Sequence, residues 1–177
     1  MARRSRSRPD AVDFMLEEWR REVPEVDATG MAVFGRLHRA FYRYQDQLNR
    51  IFHAHDLTMA GFSILASLRR AGSPYRRTAG ELAEAALVTT GGITQRVDKL
   101  EASGLVERER DSEDRRTVYV QLTEKGRVFT DEVIAAHFAN ERDMLSGLSA
   151  TEQERLADLL SRLEASLDHA EAKRAGE

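Results

Sequence analysis

Cysteine is absent from the 177 residues, and with it go disulfide scaffolds, thiolate zinc sites, iron–sulfur clusters and cysteine nucleophiles. No stretch approaches the roughly 18 uninterrupted apolar residues that a membrane-spanning helix needs, and the arginine-rich start is not followed by an apolar signal core. The sequence therefore predicts a cytoplasmic protein with no membrane partner. Glycine-rich phosphate loops, nucleophile elbows, metalloprotease helices and paired carboxylates in a recognisable context are also missing, so nothing points to an enzyme and no cofactor is expected.

Neither sign of charge dominates. The 27 basic and 30 acidic side chains leave −3 overall, which would argue against a nucleic-acid partner if the charge were evenly spread. It is uneven. Residues 1–8 carry four arginines and no acid, residues 60–120 carry ten basic against nine acidic groups, and the two flanks are acidic. Apolar residues make up 41% and charged residues 32%, enough to bury a core under a heavily charged surface. The length fits one domain of ordinary size, or one small domain with appended helices.

Residues 1–9 lack apolar periodicity and read as a flexible basic arm. From Asp10 the residues Val12, Phe14, Met15, Leu16 and Trp19 suit a short amphipathic helix that stops near Val23–Pro24. Met31 to about Ala54 follows with Val33, Phe34, Leu37, Phe41, Tyr44, Leu48, Ile51 and Phe52 at spacings of three and four, a helix too long for one small domain to cover. Thr58 is placed to cap a helix ending near Gly72–Pro74. Thr78 with Glu81 forms a capping box for a short helix through Leu82. A tight turn at Val88–Thr89 leads to another helix, capped by Thr89 or Thr90 and stopped by Gly104, so the pair makes a helix-turn-helix candidate.

After Gly104 the period changes. Two β-prone runs, Leu105–Arg110 and Thr117–Leu122, flank a charged turn and predict a hairpin of the kind called a wing. Thr123 restarts helix to about Leu145, and Ser149 with Glu152 boxes a last helix through Leu156, Leu159, Leu160, Leu163 and Leu167. The fold class is thus mainly α with a small β-hairpin wing. The chain divides into a basic arm at 1–9, the winged helix-turn-helix at 58–122, and helices at 10–57 and 123–177 that are expected to serve dimerisation.

On the second helix of the pair, Ile93, Val97 and Leu100 share one face, leaving Gly91, Gln95, Asp98, Lys99 and Ala102 on or near the other. That small polar face is open to two readings. It suits a major groove, with glycines allowing close approach, glutamine meeting a base edge and lysine a phosphate or guanine; it also suits plain solvent. Arg115 and Arg116 at the hairpin tip could reach phosphates or a narrow minor groove, with Asp114 orienting one of them, or belong to a salt-bridged surface loop. The excess apolar surface of the first and last helices fits a second copy of the chain, or an intramolecular helical subdomain. His53, His55 and Asp56 could join a metal site, but a spacing of two is poor on a helix, and no metal is expected. A winged-helix module that binds a protein instead of DNA is the competing function; salt dependence separates the two.

The run LTMAGFSILASLRR, followed by TAGELAEAALVTTGGITQRVDKLEASGLVERERDSEDRRTVYVQLTEKG, resembles the MarR family of bacterial transcriptional regulators over roughly residues 31–170. The resemblance implies a homodimeric winged helix-turn-helix that binds a palindromic site on double-stranded DNA, probed here by Thr89, Thr90, Gly91, Gly92, Thr94, Gln95, Lys99, Arg115 and Arg116. It also implies repression or activation of promoters, with repression expected here, relieved by a small phenolic, aromatic or oxidising signal; a small anionic or aromatic effector is expected for this chain. FMLEEWRREVPEVD and LRRAGSPY resemble the PecS-like, urate-responsive branch, whose ligand is held by a tryptophan, an aspartate and two arginines. Trp19, Arg96 and Arg108 match those positions, while Ser63 stands where the aspartate would be. Loss of that carboxylate removes the acceptor for purine N–H groups and points to an anionic effector other than urate. On spacing alone Arg96 sits at the flank of its helix's apolar stripe, between pocket and groove, or in a structural ion pair. Trp19 is equally open to plain core or interface packing.

Overall fold

A computed structural model describes residues 8–85, 92–111, 114 and 116–176. Its elements run α1 (Ala11–Glu22), α2 (Met31–Ala54), α3 (Met59–Arg70), β1 (Arg76–Thr78), α4 (Ala79–Ala85), α5 (Ile93–Ala102), β2 (Val106–Arg110), β3 (Val118–Leu122), α6 (Glu124–Met144) and α7 (Ala150–Ala175).

Side-chain caps fix most helix starts. The Asp10 carboxylate accepts the N–H groups of Val12 and Asp13, and Asp13 returns the contact in a complete capping box. Thr58 accepts the N–H of Gly61, Thr123 that of Gly126, and Ser149 forms the last box with Glu152. Each cap satisfies amide donors that the first helical turn would otherwise leave unpaired. Helix α5 ends on Gly104 at φ +70°, and the N–H groups of Gly104 and Leu105 return to the carbonyls of Glu101 and Leu100, a left-handed stop suited to glycine.

The core lies in the middle of the chain. Ile64, Leu65 and Leu68 of α3 are fully buried between Phe52 of α2, Leu82 of α4, Val97 of α5, Val120 of β3 and Val133 of α6. Phe52 and Phe62 stack with ring centres 4.6 Å apart, joining the end of α2 to α3. Helix α1 docks on α2 through Val12 and Leu16. Gly35 lets it approach, because a Cβ there would lie 3.1 Å from a Val12 methyl. Arg36 ties the two helices by reaching Asp10 at 2.9 Å and Asp13 at 2.8 Å.

The sequence predicts a two-stranded hairpin, and the structure adds a third strand. β1 pairs antiparallel with β3, Arg77 opposite Val120, giving the order β1-β3-β2. Three residues, two of them arginine, carry too little alternation to signal a strand. Their pairing is stabilised instead by Arg76, which lies 4.3 Å from the ring centre of Tyr119 and 3.3 Å from Glu109.

The first half of α2 exposes Val33, Phe34, Leu37 and Phe41, and α7 buries no residue while exposing Leu156, Leu159, Leu160 and Leu167. The two faces border a common groove at Leu37, Leu160 and Leu163. Among the described residues, no helix is long and apolar enough to cross a membrane.

Candidate nucleic-acid interface and effector cleft

Helix α5 buries Ile93, Val97 and Leu100 and leaves Thr94, Gln95, Asp98, Lys99 and Ala102 exposed. Burying the apolar stripe on α3 and the sheet leaves Thr94, Gln95 and Lys99 facing outward, a row of donors and acceptors for whatever approaches, while Asp98 is met by Arg108. Gly92 is half-buried just ahead of the helix. Thr89, Thr90, Gly91 and Arg115 lie outside the described residues.

The wing turn is shaped by Asp114. Its backbone N–H donates to Asp111, and its carboxylate accepts the backbone N–H of Arg116 at 3.0 Å and the Thr117 hydroxyl at 3.1 Å. Toward Arg116 the contact is to the main chain, an aspartate turn that leaves the Arg116 side chain exposed, while Arg115, the other arginine expected beside Asp114, lies outside the described residues.

Arg108 projects from β2 onto α5. Its Nη2 lies 2.5 Å from an Asp98 oxygen, its Nη1 donates to Glu101, and the second Glu101 oxygen accepts its backbone N–H at 3.2 Å. The hydrogen bond to Asp98 and the nearby Glu101 charge together hold the guanidinium pKa above its ordinary value despite partial burial.

Arg96 is half-buried beside a cleft of about 630 Å³ walled by Thr58, Gln95, Lys99, Lys125 and Phe129, among others. Its guanidinium packs against Gly92, and its Nη1 is buried with no hydrogen-bond partner among the described residues. Such a charged donor costs free energy until an acceptor meets it. The ion pair that spacing allowed for Arg96 is not among the pairs formed by the described residues. Lys125 donates to the Ser103 carbonyl at 2.8 Å, so a second cation edges the same cleft.

The four effector positions expected from the resemblance are therefore not gathered in one cleft of the single chain. Arg96 lines this one. Ser63 is half-buried on α3, Trp19 is 51% exposed on α1, and Arg108 is engaged by α5. Nothing in the sequence marks Thr58, Lys125 and Phe129 as cleft residues, because the wall they form joins the starts of α3 and α6, 67 residues apart between Thr58 and Lys125. Of the His53–His55 pair, His53 is exposed and His55 Nδ1 lies 2.9 Å from the Ile51 carbonyl oxygen.

Comparison with known proteins adds an independent line. A family model described as the MarR family matches residues 55–117. The HTH-type transcriptional regulator PecS of Dickeya dadantii (strain 3937) is 36% identical over 153 residues, which is 86% of this chain and 92% of PecS. The HTH-type transcriptional regulator MhqR of Bacillus subtilis (strain 168) is 32% identical over 75% of this chain and 90% of its own. Among solved structures, a cysteine-to-serine variant of MarR from E. coli complexed with operator DNA superposes with a TM-score of 0.66 at 28% identity, covering 78% of this chain and 99% of that one.

Proposed function

The chain belongs to the MarR family of transcriptional regulators, and from that premise we propose that it binds a palindromic promoter site on double-stranded DNA as a homodimer, represses from it, and is released by a small anionic effector with an aromatic or apolar body. The observation that carries the reading is the exposed Thr94, Gln95 and Lys99 row of α5, standing on a buried apolar face and flanked by the wing that bears Arg116. A helix of this kind enters a major groove while wing arginines meet the backbone or minor groove. Gly92, and with it Thr89, Thr90, Gly91 and Arg115 from the sequence, complete the proposed contact set.

Dimerisation follows from the apolar residues that α2 and α7 leave in solvent. A two-fold pairing covers them and sets two α5 helices about one duplex turn apart, which is what a palindrome requires. In this division residues 10–57 and 123–177 dimerise and 58–122 binds DNA.

For the effector, the cleft beside Arg96 supplies a cationic donor that has no partner among the described residues, a second cation in Lys125, and the apolar wall of Phe129. Gln95 and Lys99 share that wall, so an occupant and a DNA duplex compete for the same stretch of α5. An effector shifts the equilibrium only by its difference in affinity for the two states. Trp19, Ser63 and Arg108 enter the effector set by resemblance alone. The experiment is a titration of promoter duplex over a range of salt: phosphate contacts make affinity fall steeply as salt rises, whereas a winged-helix module for a protein partner leaves the duplex unbound.

A further inference from the structure

We infer that Arg108 is a positioning residue for DNA binding, its two-pronged contact with Asp98 and Glu101 fixing the recognition helix α5 against strand β2 of the wing. The inference rests on the DNA-binding reading above. Asp98 and Glu101 are one helical turn apart, so both carboxylates face the same side of α5, and Arg108 reaches both while its own N–H also meets Glu101. A planar guanidinium with fixed donors holds two acceptors at a set angle, which a lysine cannot do. Arg108 in turn sits opposite Val120 in the β2–β3 ladder, so the contact joins the helix to the sheet and not to a loose loop.

Two observations separate this role from others. The three side chains are 31%, 56% and 38% exposed, and ion pairs with that much solvent contact add little to stability; holding the fold together is not what the cluster is for. Secondly, two carboxylates on a helix meant for a polyanion repel it. Their presence costs affinity unless what they hold in place returns more, and what they hold is the angle between α5 and the wing. That angle decides whether major-groove and wing contacts are made at once, since a misplacement of a few tenths of an ångström to one ångström degrades a preorganised site.

The test is duplex binding by Arg108→Gln and by the double variant Asp98→Asn with Glu101→Gln, with thermal melting and salt dependence measured alongside. Deleting two negative charges from a DNA-facing helix strengthens binding by electrostatics alone, so the double variant gives opposite signs for the two accounts. The clamp predicts that both variants bind the parent's duplex about tenfold more weakly, melt close to the parent, and keep the parent's salt slope, because Arg108 touches no phosphate. Arg108→Lys, which keeps the charge and loses the fork, is expected between Arg108→Gln and the parent. A double variant that binds as well as or better than the parent overturns the clamp. So does a slope for Arg108→Gln flattened by about one unit per chain, which makes Arg108 a phosphate contact, or full duplex affinity with only effector release impaired, which makes it an effector ligand. A parent that binds no duplex at all removes the DNA-binding reading itself, a result visible before any variant is compared.

Discussion

Gly126 lies directly against the carbonyl oxygen of Leu105, so close that a Cβ at position 126 would overlap it. This contact seats the first turn of α6 on the turn between α5 and β2. The same junction is tied by the Thr123 hydroxyl, which donates to the Gly104 carbonyl at 2.8 Å while accepting the N–H of Gly126. The obstacle is backbone, which cannot swing aside as a side chain can. Gly126→Ala is expected to destabilise the fold by more than about 3 kcal/mol, seen as a fall of roughly 10 °C in melting temperature. A melting temperature within a degree or two of the parent would show that the junction gives way easily.

Gln95 and Arg116 stand on the two elements proposed to grip DNA and should fail differently. Gln95→Ala removes a donor and acceptor for a base edge and is expected to relax discrimination by about 1–3 kcal/mol at one base pair. Arg116→Ala should weaken binding to all duplexes alike and flatten the salt dependence by about one unit per wing. Competition binding with single-base-pair variants of the site distinguishes the two. Identical behaviour of both variants and the parent would move the recognition surface elsewhere.

The apolar groove bordered by Leu37 and Leu160 is assigned to the second protomer. Leu160→Glu places a carboxylate in that interface with no partner, and burying an unpaired charge is strongly unfavourable. The variant is expected to sediment as a folded monomer and to lose the affinity that two half-sites confer. Leu160 is 42% exposed in the single chain, so the protomer itself should tolerate the change. A variant that stays dimeric would place the interface on other helices.

Arg96 is the test of the effector cleft. Aromatic carboxylates serve as probes, scored by release of a labelled duplex. Removing a charged hydrogen-bond donor that meets such an anion costs about 1.5–3 kcal/mol, so Arg96→Ala is expected to cut the potency of any effective probe by roughly tenfold or more. Unchanged potency in Arg96→Ala would leave the cleft without a role in release.

Acid should loosen α1. The Asp13 carboxylate accepts the Asp10 N–H and pairs with Arg36, which holds its pKa below the ordinary 3.8. Partial desolvation opposes the same effect at Asp10, and hydrogen bonds from Asp13 and Val12 N–H groups and from Arg36 overcome it. Groups with depressed native values stabilise fully above their unfolded value and lose that stabilisation as pH falls through the native one. The contribution of this cluster to α1 docking is therefore expected to be full above pH 3.8 and to weaken progressively as pH falls below it. Trp19, the sole tryptophan, lies on α1 and reports the change. Arg36→Ala should move the step toward higher pH, and a step that ignores this substitution would sever it from the Asp10–Asp13–Arg36 cluster.

Much of this architecture was legible from residue order. Capping residues at Thr58 and Ser149 and the left-handed stop at Gly104 are local signals, read by chemistry that spans three or four residues, and those helix ends stand where the signals do, whereas α5, expected to be capped by Thr89 or Thr90, begins at Ile93 behind Gly92 with no side-chain cap. The buried face of α5 likewise followed from a period of 3.6. What spacing missed is long-range. β1 forms because β3 is there to pair with it. The cleft wall joins Thr58 to Lys125 and Phe129, and nothing near any of them in the chain announces the others. Asp98 reads as one more polar residue on the outward face of α5 until β2 folds back and brings Arg108 to it.

The central claim is that two copies of the chain hold one duplex through α5 and the wing. Its most direct measurement is a titration of a palindromic promoter fragment with stoichiometry and salt dependence read together. The account predicts saturation at two chains per site and an affinity that falls by a slope of several units in log–log form as salt rises. A monomer that binds no promoter fragment, or binding indifferent to salt, would contradict it.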